Sequence, residues 1–210
     1  MVVIHRPGDG PNPIPPESPL FELVLAGTRL YRIFDPKYQN DPLQFKYWGP
    51  TARFDHHRPE GQSLGPDPDR GVYYAAFNLA DCVVEVFGDT RLIECGDKRA
   101  VIAIVERQLR LLDLRGSGAM RVGSVAALTK VADRSISQEW ARHLCADALV
   151  GSMTVGLLYT NAHNEGHSFM LFERAEGSLS YEHADDIRLD DPRLRATLLD
   201  IAKQHNLLLL

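Results

Sequence analysis

The chain has 210 residues, of which 44% are hydrophobic, a size and composition typical of one domain with a well-buried core. Its formal net charge of −5 argues against a general affinity for nucleic acids or anionic membrane surfaces, although it allows a small basic pocket. Since no apolar run approaches the roughly 20 residues of a membrane span, and no signal-peptide pattern opens the chain, we expect a cytoplasmic protein.

Residues 1–19 form a proline-rich segment with six prolines between positions 7 and 19. Proline fixes the backbone and lacks an amide donor, so neither a helix nor a central strand is expected there. We predict an extended arm that is either disordered or laid across a neighbouring subunit, and the second alternative makes a homodimer plausible. The globular domain is then predicted over residues 20–210.

Hydrophobic periodicity predicts the elements of the first half of this domain. They are strands at 28–34, 52–54 and 71–77, a helix at 79–87, and strands at 99–106 and 109–114. In the first strand, Leu30 and Arg32 share one face while Tyr31 and Ile33 share the other. The polar segment 55–70 is longer than most connections and is typical of a functional or mobile loop.

The second half is predicted to be mixed in the same way. Residues 119–150 are expected to be helical, with Ser137 capping a helix over 138–148, followed by paired strands at 155–160 and 168–173 and a helix that Pro192 opens. Because strands and helices do not alternate regularly, we predict an α+β fold with a single mixed sheet rather than a doubly wound one.

Three cysteines, Cys82, Cys95 and Cys145, are widely spaced and odd in number. They match neither a zinc-ligand spacing nor a disulfide framework, which is improbable at this length. Cys82 lies in an apolar run, so it is predicted to pack as a small hydrophobic residue.

Two arginines, one tyrosine and one glutamate are predicted to lie on neighbouring elements. They are Arg32 in LYRIF, Arg53 in GPTARF, Tyr74 in VYYAA and Glu85 in CVVEVF. Two cations and one anion beside an aromatic ring make a poor core but suit a ligand that is both phosphorylated and positively charged. NAD is such a ligand, because its pyrophosphate is anionic and its nicotinamide ring is cationic.

Together with GLLYT and FMLFE near the end, these motifs resemble the RES-domain family, the toxins of RES–Xre toxin–antitoxin pairs, over about residues 25–185. The resemblance implies a fold similar to the ADP-ribosyltransferases and cleavage of the bond between nicotinamide and ribose in NAD. It implies inorganic phosphate or water as the acceptor and a helix-turn-helix (Xre-type) antitoxin as partner.

The resemblance also implies roles for individual residues. Glu85 would stabilise the positive charge that grows on the ribose, and no general acid is needed because nicotinamide leaves neutral. Arg32 and Arg53 would clamp the pyrophosphate or an incoming phosphate. The predicted catalytic residues are Glu85 and Arg53, and the predicted ligand-binding residues are Tyr31, Arg32, Tyr73, Tyr74, Asn161 and Ser168.

One position departs from the family pattern. The family has a serine shortly after the tyrosine of the late Gly-x-x-Tyr, whereas here Tyr159 and Thr160 are followed by Asn161. Asparagine still donates and accepts hydrogen bonds, and Ser168 at the start of the next strand is close in sequence. The exchange puts the rate and the choice of acceptor in question.

Simpler interpretations and other functions stay open at this point. Arg32 alone in a strand is more often a surface or salt-bridging residue, and Glu85 could be a structural ion-pair partner. Of Tyr73 and Tyr74, which alternate faces, one is expected in the core. The histidine pairs 56/57 and 163/167 lack a carboxylate or cysteine at metal-ligand spacing, so no metal is expected.

Two alternative functions also stay open. One is a protein ADP-ribosyltransferase, and the other is a catalytically weak NAD-binding or partner-binding module, which Asn161 suggests.

Overall fold

The fold is described from a computed structural model, which covers residues 3–8, 19–58, 64–147 and 150–210. Its elements in chain order are β1 (Phe21–Val24), β2 (Arg29–Phe34), β3 (Trp48–Gly49), β4 (Gly65–Pro66), β5 (Val72–Ala76), α1 (Leu79–Phe87), β6 (Leu92–Ile93), β7 (Arg99–Val105), β8 (Leu109–Asp113), α2 (Ser117–Arg121), α3 (Arg134–Ala146), β9 (Gly156–Thr160), β10 (His167–Phe172), β11 (Leu179–Arg188), α4 (Pro192–His205) and β12 (Leu208–Leu209).

Eight of the strands form one mixed sheet in the order β1-β8-β9-β10-β5-β2-β7-β11. Neighbouring strands in this sheet are antiparallel, apart from the parallel pair β8–β9. Two small two-stranded sheets, β12–β6 and β3–β4, lie outside it. The predicted α+β class with a single large mixed sheet is confirmed.

The sheet opens between its central strands β2 and β5. Strand β2 pairs with β7 along its whole length, but with β5 it shares the single pair Tyr31–Ala76. Continuing that register would place Ile33 opposite Tyr74, yet these residues are not paired and both line a cleft. Helix α1 packs on β2, β5 and β10 at this opening.

Each side of the sheet has its own core. One cluster gathers around Leu30, Tyr73 and Phe169, and a second packs Tyr159 and Phe54 beneath α3. A third cluster lies between α1 and α4, and it includes Val83, Phe87, Ile93, Leu198 and Ile201. The cleft is thus bordered by packed layers that restrict the movement of its walls.

Helix α1 forms where the sequence predicts it. Asn78 is its N-cap, and the Asn78 side chain accepts a hydrogen bond from the Asp81 amide at 2.8 Å. The helix ends at Phe87 and Gly88 follows as its C-cap residue. Both boundaries agree with the prediction, so the position of Glu85 on this helix is fixed by local signals.

Two predictions about local structure are wrong. Residues 52–54 form a turn rather than a strand, because the Asp55 side chain binds the amides of Thr51 and Ala52 that a strand would use for pairing. Helix α3 begins at Arg134 with Asp133 as its cap, so Ser137 lies inside the helix and donates to the Arg53 carbonyl at 2.6 Å.

Most of the predicted arm, residues 1–2 and 9–18, lies outside the described residues. The described part, residues 3–8, packs on α3 of the same chain. The Trp140 indole donates to the His5 carbonyl at 2.9 Å, and Arg6 forms an ion pair with Glu139. Ile4 adds an apolar contact to the cluster beneath α3. This short segment therefore belongs to the packed domain.

The predicted loop 55–70 is only partly a surface segment. Asp55, His56 and His57 at its start are fully buried, and residues 59–63 lie outside the described residues. Among the described residues, no helix is both long and apolar enough to cross a bilayer.

Candidate active site

A cleft of about 280 Å³, its open mouth included, lies where β2 and β5 separate. Its walls come from β2, β5, α1, β9 and β10, and the lining residues are Ile33, Tyr74, Ala75, Ala76, Cys82, Glu85, Val86, Tyr159 and Ser168. Three residues predicted from the sequence, Tyr74, Glu85 and Ser168, are therefore brought together here. Most of the remaining wall is apolar, so polar groups inside the cleft are weakly solvated.

Glu85 is the charged residue that lines the cleft. Its Oε1 accepts a hydrogen bond from the Tyr159 hydroxyl at 3.5 Å, whereas its buried Oε2 has no hydrogen-bond partner among the described residues. Burial raises the pKa of Glu85 above its ordinary value, and the positive charge of Arg53 and the Tyr159 bond offset this only in part. An unpaired carboxylate oxygen in such a site can stabilise a cation.

Arg53 approaches Glu85 from the turn at residues 51–54. Its guanidinium donates to the Val131 carbonyl, and no carboxylate of the described residues lies within ion-pair distance of it. Its charge is close enough to lower the pKa of Glu85 against the effect of burial. Arg53 is thus free to pair with an anionic group near the carboxylate.

The ring of Tyr74 lines the cleft, and its hydroxyl is held by hydrogen bonds behind the cleft wall. The hydroxyl donates to Asp55 Oδ1 at 2.9 Å and accepts from the Phe54 amide at 3.1 Å. Burial and the negative charge of Asp55 raise the pKa of Tyr74 well above its ordinary value, so the phenol stays protonated. The ring orientation is therefore fixed at both ends, at Cα and at the hydroxyl.

Arg32 and Tyr73 lie on the opposite face of the sheet. The guanidinium of Arg32 stacks over the Tyr73 ring at 4.1 Å and is only 5% exposed. Burial lowers its pKa, and no described carboxylate lies within ion-pair distance. Neither Arg32 Nη1 nor the Tyr73 hydroxyl makes a hydrogen bond of acceptable geometry. The interpretation of Arg32 as a surface or salt-bridging residue is therefore wrong.

The two tyrosines are thereby distinguished. Tyr73 is fully buried in the core cluster, and Tyr74 faces the cleft. Tyr31 lies on the cleft side of β2 but lines a separate apolar cavity of about 370 Å³ between α1, α4 and β7. The structure thus separates Tyr31 and Tyr73 from the cleft wall.

The position of Asn161 differs from its predicted role. Its side chain donates to the Asp81 carbonyl at 3.1 Å and accepts from the His163 amide at 3.0 Å, so it holds the loop between β9 and β10. Ser168 instead lines the cleft, and its buried Oγ has no hydrogen-bond partner among the described residues. A hydroxyl is therefore present in the cleft, supplied by β10.

Cys82 also lines the cleft, but its burial disfavours a nucleophilic role. Burial raises the pKa of its thiol to about 12, so almost no thiolate exists at neutral pH. This agrees with its predicted role as a small packing residue.

Folding places one group of potential metal ligands together outside the cleft. Ligand atoms of His56, Cys145 and Glu173 lie within 4.8 Å of one another. Chain spacing does not reveal this group, since His56 and Glu173 are 117 residues apart. His56 Nε2 already binds Glu173 at 2.9 Å, and Arg174 donates to the Cys145 sulfur at 3.0 Å. The adjacent guanidinium disfavours a divalent cation, so we assign these residues a structural role.

Two polar residues of the site were not singled out from the sequence. Tyr159 belongs to the motif GLLYT, but nothing in that motif shows that its hydroxyl reaches Glu85. Asp55 directly follows GPTARF, but nothing in its spacing shows that it reaches Tyr74. Only the fold brings these contacts about.

The sheet, its opening and the buried groups around it define an α+β protein whose central strands separate around a cleft. The sequence model of the RES domain matches residues 29–192, and the chain belongs to this family. A search of curated proteins gave no match.

A chain in the crystal structure of the M. tuberculosis MbcT–MbcA toxin–antitoxin complex is similar in structure. It shares 17% sequence identity and a TM-score of 0.54, over 86% of this chain and 92% of that chain. At this level of identity the similarity concerns the fold, and the large coverage of both chains means that it extends to the whole architecture.

Proposed function

We propose that this protein is an NAD-degrading enzyme of the toxin–antitoxin type that cleaves the nicotinamide–ribose bond, with phosphate or water as the acceptor. The observation that carries the proposal is the buried Glu85 Oε2, which has no hydrogen-bond partner among the described residues and lies in a cleft with mostly apolar walls. Leaving such a group unpaired is costly unless a ligand supplies the complementary charge. The cationic nicotinamide ribose end of NAD supplies it.

Arg53 fits the other part of the same ligand. It lies near Glu85 and has no acidic partner among the described residues, so an anionic pyrophosphate or inorganic phosphate would satisfy its guanidinium group. Arg32, which was expected to share this role, is stacked on Tyr73 on the opposite face of the sheet and does not line the cleft. A space of about 280 Å³ is small for a ligand site, so it suits one end of a dinucleotide rather than the whole molecule.

The chemistry then follows from charge. The bond between ribose C1′ and the nicotinamide nitrogen breaks, its electron pair stays on the nitrogen, and neutral nicotinamide leaves. Positive charge develops on the ribose, where Glu85 stabilises it more strongly than it stabilises the ground state. A phosphate oxygen, or water that then loses a proton, forms the new bond to C1′. Tyr74 would stack on the nicotinamide ring and hold the reacting conformer.

Two further parts of the proposal concern the related fold family and the binding partner of this protein. The split sheet with a carboxylate beside the cleft supports a relationship to the ADP-ribosyltransferases. The similar structure is a toxin–antitoxin complex, which supports an antitoxin as partner, and we propose an Xre-type helix-turn-helix protein that covers the cleft. Val86, exposed at the cleft mouth, offers such a partner an apolar contact beside Glu85.

Ser168 supports the enzyme over the weak binding module. That alternative rested on Asn161, which holds the loop between β9 and β10, while Ser168 supplies a hydroxyl in the cleft. A protein ADP-ribosyltransferase uses the same bond cleavage with a protein side chain as acceptor, so only the products distinguish it.

The test is NAD turnover by the purified protein with and without millimolar phosphate, with products resolved by chromatography. Glu85→Gln is expected to lose about 10²–10³-fold in kcat, whereas Glu94→Gln, at an exposed position just after β6, serves as the matched control. Phosphate-dependent release of nicotinamide defines a phosphorylase, and release without phosphate defines a glycohydrolase. If NAD that is radiolabelled in its ADP-ribose part transfers the label to protein, the enzyme is a protein ADP-ribosyltransferase. Bound NAD without any release would overturn the enzyme proposal.

A further inference from the structure

Asp55 is a fully buried carboxylate directly behind the cleft wall. Its Oδ2 accepts hydrogen bonds from Lys46 Nζ at 2.6 Å, the Thr51 amide at 2.6 Å and the Ala52 amide at 2.9 Å. Its Oδ1 accepts from the Tyr74 hydroxyl at 2.9 Å. Burial favours the neutral acid, but Lys46 and the two amides together lower the pKa of Asp55 below its ordinary value. The group is therefore an ionised, fully partnered anchor.

One consequence concerns the aromatic ring in the cleft. Tyr74 lines the cleft, and its hydroxyl is held by Asp55 and by the Phe54 amide. A ring fixed at its hydroxyl cannot tilt or withdraw without breaking a hydrogen bond to a charged group, which is among the stronger kinds of hydrogen bond. Asp55 thus sets the position of Tyr74.

A second consequence concerns the turn that carries Arg53. Asp55 binds two amides of this turn, and α3 binds its carbonyls: Ser137 Oγ donates to Arg53 at 2.6 Å, and Gln138 Nε2 donates to Ala52 at 2.9 Å. The backbone around Arg53 is therefore fixed from both sides. The same carboxylate controls both Tyr74 and the turn that presents Arg53 to Glu85.

We propose that Asp55 is a positioning residue, which aligns Tyr74 and Arg53 for cleavage of the nicotinamide–ribose bond without touching the substrate. This inference rests on the function proposed above. A carboxylate is required because all four of its strong contacts are donors. An asparagine of the same size would direct its NH₂ group at Lys46 and the amides or at the Tyr74 hydroxyl, and would lose bonds on one side.

The experiment compares Asp55→Asn, Tyr74→Phe and the double variant by steady-state NAD kinetics. Asp67→Asn is the matched control, since Asp67 is also a buried carboxylate held by an arginine and backbone amides but does not contact Tyr74. Asp55→Asn is expected to lower kcat about 10–100-fold with little change in KM, because a misplacement of about 1 Å can cost 10²-fold in rate. The control is expected to keep its kcat.

The double variant tests whether Asp55 acts through Tyr74. If it does, adding Asp55→Asn to Tyr74→Phe lowers kcat less than it does in the wild type, whereas independent effects multiply to within about twofold. Amide hydrogen exchange is measured in parallel, and Asp55→Asn is expected to speed exchange at Thr51 and Ala52. A merely structural role would lower stability without this kinetic coupling.

The outcomes separate this inference from the proposed function. A wild-type protein that releases no nicotinamide overturns the proposed function, and with it the reaction that Asp55 serves. An active wild type with full kcat in Asp55→Asn, or with multiplying losses in the double variant, overturns the positioning role alone. If Asp55→Asn does not fold, Tyr74→Phe tests the same link, and unchanged kcat in that variant overturns the inference.

Discussion

Glu85 places a functional demand and a stability demand in conflict. The carboxylate is held in a mostly apolar cleft, where its Oε2 has no hydrogen-bond partner in the described part of the chain. This suits a developing positive charge but costs free energy while the cleft is empty. Its pKa is raised by this burial, in spite of Arg53 and Tyr159. Such strain at a single side chain is typical of a functional residue rather than of a structural ion pair.

The first prediction is that Glu85→Gln stabilises the protein at neutral pH. Because the folded-state pKa lies above the unfolded one, folding is favoured below the unfolded pKa of about 4.3, and this contribution is lost as pH rises through the folded pKa. The neutral amide avoids that loss, so the free energy of unfolding at pH 7 is expected to rise.

Urea unfolding at pH 4 and pH 7 measures this effect. The gain from Glu85→Gln is expected at pH 7 and should shrink towards pH 4. Glu94→Gln, at an exposed site, is expected to show no gain at either pH. A destabilised Glu85→Gln variant at pH 7 would mean that the carboxylate is a structural partner of Arg53.

The second prediction concerns the pH dependence of catalysis. The proposed reaction requires ionised Glu85, whose pKa is raised, so kcat/KM should fall on the acid side at a higher pH than for an ordinary glutamate. Arg53 lowers this pKa, so Arg53→Gln should move the acid limb to still higher pH, in addition to reducing the rate. Arg110→Gln, an exposed arginine on β8, should leave the limb in place. An acid limb that does not move in Arg53→Gln would contradict the electrostatic link.

Helix α1 is the element that presents Glu85, and its first turn is tied to the loop between β9 and β10. The Asp81 side chain accepts hydrogen bonds from Asn164 Nδ2 at 3.0 Å and from the His167 amide at 3.2 Å. Asn161 binds the Asp81 carbonyl from the same loop. The loop therefore sets the position of α1 over the cleft.

The third prediction is that Gly166→Ala loosens this contact. A Cβ at Gly166 would lie 1.9 Å from Asp81 Oδ1 and 2.3 Å from its Cγ, so the Asp81 side chain must leave its partners. Overpacking of this kind typically costs about 1–3 kcal/mol, and the displacement of α1 should also lower kcat. Thermal unfolding and NAD kinetics measure both effects. Gly65→Ala is the control because its Cβ would meet no atom of the described residues within 4 Å, and equal behaviour of the two variants would refute the argument.

Elements with strong local signals were predictable from the sequence, whereas contacts made by distant side chains were not. Asn78 and Gly88 mark the two ends of α1, as their capping preferences indicate. The apolar runs at 99–106 and 109–114 form β7 and β8. Residues 52–54 did not become a strand because Asp55, a neighbour in sequence, captures the amides. Asn161 could not be assigned from the motif, because its partner Asp81 lies 80 residues away in sequence.

The site shows the same division. The motifs identified Glu85, Tyr74 and Ser168, which converge on the cleft, because these residues lie at fixed positions on predictable elements. The alternation of β2 places Arg32 on the face opposite Ile33, but its stacking on Tyr73 and the absence of a described acidic partner depend on tertiary packing. Periodicity predicts which face a side chain occupies and does not predict what it meets there.

At the scale of the whole molecule, the opening between β2 and β5 lies at the centre of a sheet whose two sides are separately packed. Strand β2 belongs with β7 and β11, and β5 belongs with β10 and β9. Helix α1 contacts both groups at the opening. A ligand in the cleft would therefore contact both halves of the sheet at once, so binding of the proposed substrate NAD should stabilise the entire fold rather than one wall.

The last prediction concerns the N-terminal segment, where the sequence left disorder and a subunit-bridging arm as alternatives. The described residues 3–8 bind α3 of their own chain, through the Trp140 bond to His5, the Arg6–Glu139 ion pair and the contact of Ile4. Deleting residues 3–8 is expected to lower the free energy of unfolding by about 1–2 kcal/mol, the sum of one hydrogen bond and one partly buried aliphatic side chain. Since the opposite face of α3 holds the Arg53 turn through Ser137 and Gln138, kcat should change by less than about twofold, as for distant independent sites.

Urea unfolding measures the free energy of unfolding, NAD kinetics measure kcat, and size-exclusion chromatography with light scattering measures the molar mass. We expect the molar mass to be the same with and without the segment. A dimer that dissociates on this deletion would show that the segment bridges two subunits.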